Sequence, residues 1–349
     1  MRARQTFRPE VVQPLEDRVV LSRVGTALAI ANLQPGRPPV QVGAATLRGA
    51  AVATSLGPVG ALGDSYTDEY REYSKEARGH ARNWVEILNA TRGVNFGGFS
   101  SKSLGEPRNR GFSFVWARSD ATSTEMVANQ LPGLVAQVAQ GKVRTAWVFV
   151  GGNDFLHVFR DLAAGRIAPA SAPATLIQTE TRLEANFTTA VNRLLAANPN
   201  ARLVVSTLPD TGDLPATKLG VSLAPALKPL LDLSSGLIAR YNALIRATAA
   251  NNPRIALVDL AAATSALKSN VGTVPFGGQT IDLNTPGDDY HHFFLSDLIH
   301  VGTVAQGIIA NSFINALNTR FGLNIRPLSQ AEIIRFAQRV QSPQGRSIL

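Results

Sequence analysis

From Gly57 onward, short apolar runs alternate with longer stretches of helical period, and this alternation limits the possible folds more than any other feature of the chain. Val59–Leu62, Val94–Phe96, Ala146–Val150, Leu203–Thr207 and Ile255–Val258 have the length and content of buried strands. Trp84–Leu88, Met126–Val138, Leu183–Leu195, Leu237–Ile245 and Ile308–Leu317 carry helical patterns. Strands alternating with helices imply a parallel sheet with helices on both faces. The expectation is therefore an α/β fold: a three-layer α/β/α sandwich around a central, mostly parallel sheet of five strands. Residues 1–55 lack sustained periodicity and hold Pro35, Pro38 and Pro39, so they read as a leader and linker. Residues 56–320 are the expected folded domain, and 321–349 a C-terminal helical extension.

The 34 Lys and Arg outnumber the 25 Asp and Glu by a formal +9, but the excess sits at the ends. Residues 1–48 hold seven Arg against Glu10, Glu16 and Asp17, and residues 320–349 hold five Arg against Glu332, leaving 22 basic and 21 acidic side chains between them. A nearly neutral body without a basic, aromatic-laced stripe argues against nucleic acid as a partner. With no cysteine, the chain has no thiolate nucleophile, Cys-ligated zinc, iron–sulfur cluster or disulfide. The longest uncharged run, Leu298–Thr319, contains His300, Gln306, Asn311, Ser312, Asn315 and Asn318. These polar groups make it an amphipathic helix rather than a transmembrane segment.

Three of the expected strands end in polar, glycine-containing turns: Gly63-Asp64-Ser65, Gly97-Gly98 and Gly151-Gly152-Asn153-Asp154. Ligands of an open parallel sheet bind beyond the carboxyl ends of its strands, so the three turns are expected to converge on one site. Ser65 on such a turn can present both a hydroxyl nucleophile and its own N–H as an oxyanion donor, although Asp and Ser are also the residues favoured at ordinary helix caps. Asn153 can aim a side-chain amide at the same oxygen, and a glycine in the second turn lets a further donor approach. Near the other end, Asp297 stands three residues before His300. That spacing lets the carboxylate accept the Nδ1 proton and leaves Nε2 free to take one from a serine.

Taken together, Gly63-Asp64-Ser65, a glycine at 97 or 98, Gly151-x-Asn153-Asp154 and Asp297-x-x-His300 resemble, in order, the four motif blocks of the GDSL or SGNH hydrolases. The likeness extends over Val59 to about Leu317. Leu208-Pro209-Asp210 and Tyr241-Asn242 resemble the lipase-like branch of that family. The resemblance implies a flavodoxin-like α/β/α fold and a cofactor-free serine esterase acting through an acyl-enzyme. It makes Ser65 the nucleophile and first oxyanion donor, Gly98 the second donor, Asn153 the third, His300 the base and Asp297 its orienter. Tyr66 stands where the family name has Leu, Val301 where Pro is common, and the short turn after Asn95 leaves both Gly97 and Gly98 eligible.

Asp64, Asp154 and His157 are expected to support or line the same cleft, and His291 and His292, after Asp288-Asp289-Tyr290, to form its rim. Adjacent histidines diverge, and no H-E-x-x-H helix is present, so no metal site is expected. The run Phe112, Phe114, Trp116, preceded by Lys102, Arg108 and Arg110, reads as a strand with its aromatic face inward. Residues 154–176, with Gly165, Pro169 and Pro173, read as an irregular lid. The family's range implies small-molecule, glycan or lipid esters as substrates. An acyltransferase using the same acyl-enzyme, and a non-catalytic surface or carbohydrate-binding module keeping the fold, are the alternatives. Phe7-Arg8-Pro9, Leu15-Glu16-Asp17-Arg18 and Leu21-Ser22 resemble an N-terminal motif of exported bacterial proteins, which implies an extracytoplasmic or secreted destination.

Overall fold

The computed structural model describes residues 56–101, 110–267 and 272–342, so the leader, Lys102 and Arg108 lie outside the described residues. β1 (Val59–Gly63) is followed by α1 (Trp84–Arg92), which opens on a reciprocal cap. The Asn83 side chain accepts the Glu86 N–H, and the Glu86 carboxylate accepts the Asn83 N–H. The two-residue strands β2 (Phe99–Ser100) and β3 (Gly111–Phe112) pair antiparallel. A helical stretch opening at Ser123 and widening at Met126–Gln130 becomes α2 (Leu131–Ala139). Next come β4 (Thr145–Phe149), α3 (Gly152–Ala163), α4 (Ala172–Ala197) and β5 (Arg202–Ser206). They are followed by α5 (Pro215–Leu223), α6 (Lys228–Ala250), β6 (Ile255–Val258) and α7 (Leu260–Leu267). β7 (Thr273–Phe276) and β8 (Gln279–Asp282) form a hairpin, before α8 (Thr303–Phe321) and α9 (Gln330–Gln341).

The central sheet runs β1-β4-β5-β6, all parallel, with Val59 opposite Thr145, Thr145 opposite Arg202 and Leu203 opposite Ile255. Every residue of β1 and β4 is buried, as strands covered on both faces require. On one face Trp147 of β4 stacks on both Trp84 of α1 and Phe313 of α8, with ring centroids 4.0 and 4.6 Å away, and those two rings meet each other at 5.5 Å. Side chains alternate across a strand, so Ala146 and Val148 meet the opposite layer, where α2, α4 and α6 lie. Phe187 of α4 and Tyr241 of α6 close that layer edge to face at 5.8 Å.

The sheet has four strands among the described residues rather than five. Val94–Phe96 is too short to follow β1: Asn95 lends one carbonyl to the Val59 N–H at 2.8 Å, and the chain then turns away at Gly97, φ 87°. The rest of the free edge of β1 is taken by the run expected to bury its aromatic face. Ala61 N–H meets Phe114 O at 3.0 Å, Trp116 N–H meets Ala61 O at 2.8 Å, and Arg118 N–H meets Gly63 O at 3.1 Å. In this run Val115 and Ala117 are buried with Phe112, while Phe114 and Trp116 are half-buried.

Residues 154–176 are mostly helical, within α3, a short turn at Pro169–Ser171 and the start of α4, so the expected irregular lid is absent there. The expected C-terminal helix is α9, whose Ile333, Ile334, Phe336, Ala337 and Val340 are buried against the domain. Leu298–Thr319 holds most of α8, and no single helix of the described residues is long and apolar enough to cross a membrane.

Candidate active site

The turn after β1 is held from three sides. Gln130 accepts the Gly63 N–H at 2.9 Å and returns its own amide to the Gly63 carbonyl at 2.8 Å, and Arg118 bonds the same carbonyl. A Cβ at Gly63 would stand 2.4 Å from the Phe149 carbonyl oxygen, so only glycine lets the turn approach β4 this closely. The Asp64 carbonyl takes the Thr67 and Asp68 N–H groups at 3.0 Å, and its carboxylate takes the Tyr66 N–H at 3.1 Å. Burial pushes the Asp64 carboxyl up to about 7, against the Tyr66 N–H bond that lowers it, with the negative charge of Asp154 adding to the rise. Ser65 is 7% exposed, and neither its hydroxyl nor its N–H has a hydrogen-bond partner among the described residues.

Residues 295–302 form a self-bonded loop before α8. Asp297 accepts the Ile299 and His300 N–H groups at 3.0 and 2.8 Å through one oxygen and meets His300 Nδ1 at 2.7 Å through the other. Burial raises Asp297, but the His300 bond and charge and these two N–H groups outweigh it and bring the carboxyl to about 2. A carboxylate accepts only, so Nδ1 carries the proton and Nε2 of a neutral ring is the acceptor. His300 Nε2 is buried without a hydrogen-bond partner among the described residues. The ring lies 5.9 Å from both Tyr66 and Tyr70. The Tyr66 hydroxyl donates to the Ile299 carbonyl at 2.8 Å, which joins the Ser65 turn to this loop.

Asn153 sits in the first turn of α3, beyond β4, where its amide donates to the Ala121 carbonyl at 3.1 Å. An amide has two N–H bonds, so one remains available. Asp154 accepts the Ser123 N–H and hydroxyl at 2.8 and 2.7 Å, which makes it a brace for the helix opening at Ser123. Ala121 belongs to the turn at the end of the Phe114–Arg118 run, the segment that reaches the carboxyl end of β1. Within that turn Asp120 adopts φ 64°, and its N–H has no partner among the described residues. Its carboxylate is held by His157 at 2.7 Å and Arg160 at 3.3 Å. Asp120 and Leu298, φ 68°, are the two non-glycine residues with positive φ among the described residues, and both flank this site. Strain of that kind concentrates where function holds the backbone in place.

Gly97 and Gly98 do not join this cluster. The Gly97 N–H is taken by Asn95 Oδ1 at 2.8 Å, the Gly98 carbonyl by the Ser113 N–H at 3.0 Å, and Gly98 is exposed. His157 meets the Asp120 turn through the carboxylate at 2.7 Å. His291 and His292 turn to Asp289 at 3.2 Å and to the Thr285 carbonyl at 2.7 Å. Their segment supports the His300 loop from behind, where Asp288 accepts the Ser296 N–H at 3.0 Å. No group of three His, Asp or Glu among the described residues could hold a metal ion. Asn242 clamps Leu208 through both backbone groups at 2.7 and 2.8 Å, and Tyr241 reaches the Val150 carbonyl at 3.3 Å. These residues brace the strand ends.

The sequence model of the GDSL-like lipase/acylhydrolase family matches residues 61–275, more than half of the chain. The chain belongs to that family. Among curated proteins none matches it. Solved structures similar to it include a lipase from a goat rumen metagenome, with 13% identity, TM-score 0.45, and 74% of this chain and 96% of that one covered. An extracellular lipase of Streptomyces rimosus aligns with 19% identity, TM-score 0.38, and coverage of 58% and 80%. A carbohydrate esterase family 3 protein of Talaromyces cellulolyticus aligns with 17% identity, TM-score 0.39, and coverage of 75% and 96%. The assignment rests on the family match alone. The matched stretch of this GDSL-like hydrolase includes Ser65, Asp120 and Asn153 and ends before Asp297 and His300. Sequence reasoning passed over Asp120, whose available signal was the polar Arg118-Ser119-Asp120 turn ending an apolar run, the same pattern that marks the turns at Ser65 and Asn153.

Proposed function

We propose that this chain is a serine esterase or lipase-type hydrolase that cleaves carboxylic esters through an acyl-enzyme. The observation that carries the reading is the Asp297–His300 pair, with Nδ1 anchored at 2.7 Å and Nε2 buried and unpartnered, on a loop bonded to the Ser65 turn. Ser65 Oγ attacks the ester carbonyl while His300 Nε2 takes its proton and passes it to the departing alcohol. His300 then activates water to release the acid. The negative oxygen of each tetrahedral intermediate is held by the Ser65 N–H, the free amide hydrogen of Asn153 and the N–H of Asp120. In this reading Asp120 takes the donor role that the family resemblance implied for Gly98.

Ser65 and His300 then act as one unit, so Ser65→Ala, His300→Ala and the double variant should lose kcat by similar factors. Losses that multiply in the folded double variant would argue against a shared proton transfer. A fluorophosphonate should label Ser65 in a one-to-one ratio, and the full chain should hydrolyse p-nitrophenyl acetate. An unlabelled Ser65 would favour the non-catalytic module. Transfer of the acyl group to an added alcohol or sugar in preference to water would favour the acyltransferase.

A further inference from the structure

On the reading of Ser65 as nucleophile and His300 as base, the two reacting side chains come from opposite ends of the domain, and their relative position must be set by contacts between two segments. The loop around His300 fixes its own shape: Asp297 caps Ile299 and His300, and the Leu295 N–H returns to the His300 carbonyl at 2.8 Å. Those bonds say nothing about where the loop sits over β1. Apart from the helical bond of Gln306 to Gly302, two bonds to its carbonyls come from outside among the described residues. The Ala216 N–H of α5 meets Leu298 O at 3.1 Å, and the Tyr66 hydroxyl meets Ile299 O at 2.8 Å across 233 positions of sequence.

We propose that Tyr66 is a positioning residue for His300, its hydroxyl latching the loop of the base onto the turn of the nucleophile. The phenol is the only one of these outside donors carried by the Ser65 turn itself. Its ring is set between the two parts it joins, tilted 39° to the His300 ring at 5.9 Å and edge-on to Phe149 of β4 at 6.0 Å. Burial and the nearby Asp64 and Asp297 carboxyls push the phenol up, so the hydroxyl stays a donor. Asp64, in turn, holds the Tyr66 N–H at 3.1 Å, which fixes the backbone from which the ring projects. A leucine at this position, as in the motif for which the family is named, could fill the space but could not form the bond. The latch is thus a device of this chain, and it rests on the esterase reading.

The test is Tyr66→Phe in the full chain, with p-nitrophenyl acetate as substrate and a fluorophosphonate to count reactive serines. Small displacements of a catalytic group are costly, so kcat should fall by about 10- to 100-fold with KM within about twofold. The rate of Ser65 phosphonylation should fall by the same factor while the final labelling stays at one per chain. Tyr66→Leu should be at least as impaired. A kcat equal to that of the unmodified chain would overturn the latch, as would a loss that merely follows the fraction of labelled molecules. Failure of both variants to fold would assign Tyr66 to stability and overturn it equally. Absence of labelling in the unmodified chain would instead overturn the esterase reading on which the latch depends.

Discussion

At Asp120 a side chain is tolerated in a conformation that glycine adopts freely, and the expected consequences of substitution differ sharply between residue types. Asp and Asn enter the left-handed region more readily than other non-glycine residues, and His157 and Arg160 hold the carboxylate there. If the Asp120 N–H is an oxyanion donor, Asp120→Gly should keep kcat within about threefold, because the turn can retain its shape. Asp120→Val should lower kcat by roughly 10- to 100-fold with little change in KM, since a β-branched residue resists this φ and a misplaced donor is felt mainly in the transition state. Gly98→Ala should be nearly silent, as nothing lies within 4 Å of the added methyl. A damaging Gly98→Ala beside a harmless Asp120→Val would restore the glycine to the donor role. The Asp297–His300 contact could be read from sequence because it depends on chemistry within a few residues. The place of the Asp120 turn could not, since it depends on which segment pairs with β1.

The same contrast between local and distant information holds for whole elements. β1, β4, β5 and β6 were legible because each is a run buried on both faces, and the second half of α4 because Leu183, Phe187 and Leu194 recur at helical spacing, whereas its first turns were hidden by Pro169 and Pro173. The fifth strand was misplaced because two apolar runs, Val94–Phe96 and Phe112–Ala117, compete for one edge, and a hydrogen-bonded hairpin between them decides the outcome. α9 looked like an extension, yet its Ile333 packs into the space left by Gly307 of α8, where an added Cβ would stand 2.6 Å from Ile333 Cγ2. Helix propensity alone says that Gly307→Ala should stabilise α8 by about 1 kcal/mol. Overpacking a filled contact costs about 1–3 kcal/mol, so the expected result is a lower Tm. A raised Tm would mean that α9 moves aside without penalty and is peripheral to the domain.

Across the whole molecule, carboxyls perturbed in opposite directions make stability depend on pH from both sides. Glu332 is raised by burial, but the Arg326 bonds at 2.6 and 2.8 Å, the Ser329 N–H and the Arg92 charge outweigh this and bring it to about 2. Because that value lies below its ordinary 4.5, the native state favours the ionised form. Its contribution is complete above about 4.5 and is lost as the pH falls toward 2. Asp64 has the reverse sign. Burial lifts it from 3.8 to about 7, so between those values the unfolded chain releases a proton that the native state keeps. Stability from this group is therefore complete below about 3.8 and declines until the pH passes 7. Asp64→Asn mimics the protonated carboxyl and does not titrate. Its Tm minus that of the unmodified chain should increase from pH 4 to pH 7 and then level off, whereas the corresponding difference for Glu332→Gln should be negative at pH 6 and shrink toward zero as the solution is acidified to pH 2. A pH-independent difference for Asp64→Asn would mean that the carboxyl beside Ser65 is ionised throughout.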